Sequence, residues 1–257
     1  MPGAHLDLRV LGPFEVYGPD GQLTIRSAMQ RRLLAALVVR LGSVVSVDRL
    51  IDVLWEGSPP RTAHTSLRTY VARLREGLRT IAPAQSPIAT RRPGYLLDVD
   101  PGALDAHRFE IAVRQAHETM LVDPVAAAEA LRRALEAWRG RAFAEFADAE
   151  FARREAARLE DLRVVAREIR TEALLECGEV AEAVVAAETL VVEHPLRERA
   201  RVVLMAALAQ AGRSRDAIDI FRSYERMLRE DFGLDPSDRL RTLHQRILAE
   251  RSGSADG

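Results

Sequence analysis

Two stretches in the second half of the chain repeat each other at a fixed distance. ALLECGEVAEAV begins at Ala173 and ALAQAGRSRDAI at Ala207, an offset of 34 residues, so that Gly178 falls on Gly212 and Ala183 on Ala217. Alanine-rich helices resemble one another by composition, but composition does not align their glycines. A 34-residue period, with glycine between two helical runs and small residues where they meet, is the tetratricopeptide pattern. In that architecture each helical hairpin needs a neighbour to bury its apolar face. Composition agrees: 47% of residues are hydrophobic and only 5% aromatic, which predicts an aliphatic, alanine-rich, helical core.

The first hundred residues are punctuated differently. Leu8 to Leu11, Phe14 to Tyr17 and Gln22 to Ile25 are short β-type runs separated by Gly-Pro and Pro-Asp-Gly turns, which predicts an antiparallel meander. SAMQRRLLAALVVRLG predicts a helix with Ser27 as N-cap and Gly42 as stop. A second helix is expected over Asp48 to Trp55, capped by Ser46. A third follows Ser58-Pro59-Pro60, over Thr62 to Arg79, and SPIATRRPGYLLDV predicts a hairpin turning near Arg92 and Pro93. The expected division is residues 1–100 as one domain, 101–106 as a linker, 107–250 as a helical domain and 251–257 as a disordered tail. The fold class is mainly α with a small β component.

All 37 basic residues are arginine; the chain has no lysine and no asparagine. A chain without lysine holds no Walker A loop, no Schiff base and no Ser-x-x-Lys nucleophile. A very GC-rich genome would also favour arginine. The net charge of −1 hides a split, however. Between Pro59 and Tyr95 there are seven arginines and one acid, Glu76, a local net of +6. Such asymmetry on one structural unit is a nucleic-acid signal.

On the third helix, Leu67, Val71, Leu74 and Leu78 fall within about 60° of one another at 100° per residue and predict the buried stripe. Opposite them lie Thr62, Thr65, Thr69, Ala72 and Arg73, and along one flank run Arg61, Arg68, Arg75 and Arg79. Short side chains let a helix approach base edges in a major groove, arginine forks onto guanine, and flanking arginines meet phosphates. A solvated surface would also be charged, but would not exclude acids so thoroughly. Arg91 and Arg92, on the hairpin turn, suit an adjacent narrow minor groove.

The meander, RLLAALVVRLGSVVSVDRLIDVLW, PPRTAHTSLRTYVARLREGL and TRRPGYLLDVD together resemble an OmpR/PhoB-type winged helix-turn-helix. Its version is that of the AfsR/SARP family (Streptomyces antibiotic regulatory proteins). LDAHRFEIAVRQA, ALRRALEAWRGRAFAEF and the tetratricopeptide-like stretch resemble that family's bacterial transcriptional activation domain. The resemblance runs from about Leu8 to Leu248. It implies an activator of a biosynthetic gene cluster that binds double-stranded promoter DNA as a dimer on tandem direct repeats near the −35 region. It also implies recruitment of RNA polymerase holoenzyme through its sigma factor. By the same resemblance Thr69 and Arg73 fall on base-reading positions, Arg75 on a phosphate contact and Arg92 on the minor-groove wing.

Other functions find little support. The six histidines are scattered without metal-ligand spacing, and no nucleophile, base and orienter assemble, so neither an enzyme nor a cofactor is expected. The first ten residues lack the pattern of a secretory signal and no apolar run is long enough for a membrane, while Cys177 is alone. A cytoplasmic, nucleoid-associated protein is expected. The competing reading is a tetratricopeptide-like scaffold that binds a partner protein and DNA only weakly.

Overall fold

The computed structural model describes residues 6–83 and 87–253, with side chains to residue 250. Strands β1 (Asp7–Arg9), β2 (Glu15–Gly18) and β3 (Gly21–Gln22) form an antiparallel meander in which Leu8 faces Val16 and Tyr17 faces Gln22. The expected third strand shrinks to two residues, although the Leu23 amide still donates to the Val16 carbonyl at 2.9 Å. Three helices follow: α1 (Ala28–Val39), α2 (Val47–Trp55) and α3 (Ala63–Ile81). Ser27 caps α1 by accepting from the Gln30 amide, and Ser46 caps α2 by accepting from Arg49. The chain leaves α2 through Glu56 and Gly57, both at positive φ. Leu33, Leu34, Leu37, Leu50, Leu54 and Leu67 are almost wholly buried and hold the three helices together.

A second small sheet has the order β4 (Val45–Ser46), β6 (Gly94–Leu97), β5 (Ile88–Arg91), all antiparallel. The hairpin matches expectation, but β4 does not; a two-residue strand placed against a helix cap carries no alternating pattern. The first compact unit comprises residues 1–111 together with 136–162. It therefore takes in the stretch expected as a linker. There a 3-10 turn (Pro101–Ala103) leads into α4 (Asp105–Thr119).

Asp105, only 4% exposed, is the reason this stretch is fixed. Its Oδ1 accepts from the amides of Val10 and Ala106, and its Oδ2 from Leu11 and from Arg139 Nη2 at 3.2 Å. Burial pushes its carboxyl up, while the Val10 and Leu11 amides and the Arg139 charge act the other way. The segment around Arg139 completes the unit. The amides of Arg139, Phe143 and Ala144 donate to the carbonyls of Leu11, Val10 and Gly12, and Phe146 meets the Phe14 ring edge-on at 6.2 Å.

The second unit comprises residues 112–135 and 163–257. It contains α5 (Pro124–Glu136), most of its length falling within those bounds, the later part of α6 (Glu150–Glu176), α7 (Val180–Glu193), α8 (Glu198–Gln210), α9 (Ser214–Phe232) and α10 (Asp238–Gly253). The sequence repeat is a structural one. Gly178 turns α6 into α7 and Gly212 turns α8 into α9, both at positive φ. Gly178 donates to Leu175 and Glu179 to Leu174, and residues 34 further on, Gly212 and Arg213, donate likewise to Ala209 and Leu208. Ala173, Ala183, Ala207 and Ala217 are all fully buried where the paired helices meet. Helix α10 runs through the start of the expected tail, whose residues 254–257 lie outside the described residues. Among the described residues no helix is long and apolar enough to cross a membrane.

Candidate nucleic-acid interface

Helix α3 is fixed by its stripe. Leu67, Val71, Leu74 and Leu78 are each at most 2% exposed, as the helical period predicts. Trp55 stacks on Tyr70 at 6.4 Å and seats α2 against α3. The opposite face is open: Thr62, Thr65, Arg68, Thr69, Ala72 and Arg73 are exposed, with Arg61 just before the helix and Arg79 near its end. The Thr69 hydroxyl donates to the Thr65 carbonyl at 3.0 Å, which keeps it close to the helix.

Arg75 is half-buried, where the sequence suggested an exposed flank. Its Nε donates to the Ile88 carbonyl and its Nη2 to Thr90 Oγ1, both at 2.8 Å, and its guanidinium lies 5.9 Å from the Tyr95 ring centroid. Both bonds end on β5, so Arg75 ties the helix to the hairpin. Arg79 Nε bonds back to the Arg75 carbonyl. Helical angles alone could not reveal this, because the partner strand arrives from 13 residues away.

The hairpin turn presents Arg91 and Arg92, both exposed. Behind them, the Val47 amide donates to the Pro93 carbonyl at 3.2 Å, and Gly94 lies against β4. A Cβ on Gly94 would fall 1.8 Å from the Val45 carbonyl oxygen, so only glycine lets the turn sit there. The turn is thereby seated on the start of α2 and projects its two arginines from a fixed base.

None of Arg61, Arg68, Arg73, Arg75, Arg79, Arg91 or Arg92 has a carboxylate partner among the described residues. Elsewhere arginines are commonly paired: Arg139 with Glu15 and Asp105, Arg158 with Glu110 and Glu155, Arg199 with Glu172. A surface on which arginine stands unpaired, on one helix face and one adjacent turn, attracts polyanions over a range of about a Debye length.

Comparisons with known proteins converge on one kind of regulator. Residues 21–97 match the family described as transcriptional regulatory protein, C terminal, and residues 104–248 the bacterial transcriptional activator domain. The chain is 33% identical over 251 residues to the transcriptional regulator RedD of Streptomyces coelicolor, covering 96% of this chain and 72% of that protein. It is 32% identical to the regulatory protein DnrI of Streptomyces peucetius, covering 96% and 94% respectively. Against the regulatory protein AfsR of Streptomyces griseus, 34% identical, it covers only 24% of the relative's length. The solved structure of Mycobacterium tuberculosis EmbR in complex with a low affinity phosphopeptide matches with a TM-score of 0.88 at 32% identity. That match covers 96% of this chain and 65% of the other.

Proposed function

The chain belongs to the Streptomyces antibiotic regulatory protein family of transcriptional activators, and from that premise we propose that it binds promoter DNA through α3 and the β5–β6 wing. Thr62, Thr65, Thr69 and Arg73 face base edges in the major groove. Arg61, Arg68, Arg75 and Arg79 neutralise phosphates beside it. Arg75 fixes the wing, and Arg91 and Arg92 reach the neighbouring minor groove. Two protomers occupy tandem direct repeats near the −35 region, the tetratricopeptide-like helices supporting their association. The pair recruits RNA polymerase holoenzyme through its sigma factor and activates a biosynthetic gene cluster. This activity belongs in the cytoplasm, at the nucleoid.

The observation that carries this reading is the set of unpaired arginines on α3 and the wing. Counterion release makes it measurable. If each protomer neutralises about four phosphates, log K falls with log salt at a slope of roughly −3 to −4 per protomer. The experiment is a set of binding isotherms for the full chain on promoter and scrambled duplexes at several salt concentrations. A slope near zero on the promoter duplex, or equal affinity for both duplexes, would overturn it.

A further inference from the structure

Behind the wing turn, the first unit holds a cavity of about 310 Å3, at the small end of the about 300–1,000 Å3 usual for small-molecule sites. Val44, Val53 and Phe151 give it apolar surface, Arg40 and Arg49 line it with charge, and Pro93 closes one side. Two features of this lining are unexplained by folding alone. Val44 is 43% exposed, a β-branched side chain that lines a cavity yet stays uncovered. Arg40 has no carboxylate partner among the described residues, and the acid facing Arg49 is the exposed Glu150 at 3.9 Å.

We propose that this cavity binds a small organic acid with an apolar body. The carboxylate bridges Arg40 and Arg49, and the hydrocarbon covers Val44 and Phe151 beside the buried Val53. A neutral hydrocarbon would leave the Arg40 guanidinium beside it without a carboxylate, and Arg49 with only Glu150 at 3.9 Å. A small hydrated anion such as phosphate would leave the apolar wall wet. An amphiphilic carboxylate meets both demands, because guanidinium and carboxylate match in charge and geometry while the chain leaves water.

The site has a consequence for the wing. Pro93 follows Arg92 directly, its carbonyl is held by the Val47 amide, and Gly94 has no room to shift against Val45. An occupant packed on Pro93 braces the turn that carries Arg91 and Arg92. This consequence rests on the DNA-binding reading above: the acid tightens promoter binding, and promoter DNA tightens the acid by the same factor.

The test begins without DNA. The full chain is titrated with octanoate, and with octanol as its uncharged counterpart, by calorimetry and ligand-observed NMR. Saturable one-to-one binding of octanoate is expected, with octanol weaker by about tenfold or more. Val44→Glu and Arg49→Gln, both at exposed positions, should each weaken octanoate by about tenfold or more and leave the melting temperature unchanged. Equal binding of octanoate and octanol, no binding of either, or indifference to both substitutions would overturn the site. In a second arm, saturating octanoate should raise promoter affinity severalfold in the unaltered chain and not in Val44→Glu. No rise despite octanoate binding would overturn the coupling. Failure of promoter DNA to bind with or without octanoate would instead sink the DNA reading and leave the site standing on the first arm.

Discussion

Arg75 and Ile88 are joined by a 2.8 Å hydrogen bond from guanidinium to backbone carbonyl, and a second bond from the same side chain reaches Thr90. The positive charge of α3 is thus also a mechanical link to the wing. Arg75→Ala should remove both bonds. A hydrogen bond to a charged group contributes about 1.5–3 kcal/mol, somewhat less at this half-exposed position. The melting temperature should fall by a few degrees, at about 2–4 °C per kcal/mol for a chain of this size, and promoter and random DNA should be bound more weakly alike. Arg75→Lys keeps the charge but not the fork, so it should restore the salt slope without restoring the melting temperature. Thermal melts and isotherms of the two variants decide this; full recovery by lysine in both would reduce Arg75 to a point charge.

Arg73 projects from the face opposite Leu67, Val71, Leu74 and Leu78 and bonds to no side chain among the described residues. Arg73→Ala should cost about 1–3 kcal/mol on the cognate site and relax preference at one or two base pairs, with little change in melting temperature. Arg92→Ala should be felt most where the flanking minor groove is A/T-rich and narrow. Isotherms on matched cognate and scrambled duplexes test both. Equal losses on the two duplexes for Arg73→Ala would mean that it touches backbone rather than bases.

Asp105 accepts from two amides that lie about 95 residues earlier, both on fully buried residues of the first unit. A chain cut after residue 100 leaves those amides without acceptors, and each orphaned buried donor costs about 1–3 kcal/mol. Residues 1–100 should therefore melt well below residues 1–162, which keep Asp105, Arg139 and Phe146. Circular dichroism melts of the two fragments provide the comparison. Identical, cooperative melting would show that segment 136–162 adds nothing to stability.

His244 on α10 stacks on Phe221 of α9, ring centroids 3.9 Å apart. Burial, and then the nearby Arg222 charge, hold its pKa below the usual value. The unfolded chain therefore binds the proton more readily than the folded one, and the stability from this site is present above about pH 6.5. It is lost progressively as pH falls through the folded value. His244→Phe keeps the stack without the titration and should flatten the decline in melting temperature below about pH 6.5. A decline equal to that of the unaltered chain would place the sensitivity elsewhere.

What could be read from sequence was whatever repeats at short range. The buried stripe of α3 follows from one helical period. The turns at Gly178 and Gly212 follow from a backbone need that recurs after 34 residues, and Pro93-Gly94 marked the wing turn. Hidden were features made by partners far along the chain. β4 is two residues long, and Val44-Val45-Ser46 hinted at it only through adjacent β-branched residues. Arg75 reads as an exposed flank residue, and nothing near it in sequence points to Ile88. Asp105 looked like part of a joint because its donors, Val10, Leu11 and Arg139, are scattered on both sides of it.

That scattering matters for a chain emerging from a ribosome. The first unit draws on residues up to 162, although α3 and the wing are finished by residue 97. From residue 97 to residue 162 is 65 further residues, or roughly 3–13 s at about 5–20 residues per second. During that interval the arginine-rich helix and wing have been synthesised, while the Leu11 and Val10 carbonyls still lack the Arg139 and Phe143 amides that donate to them. A chain released early would carry the arginines of α3 and the wing without the segment that closes the first unit. Synthesis order thus leaves the closure of the first unit to a segment made after its charged surface.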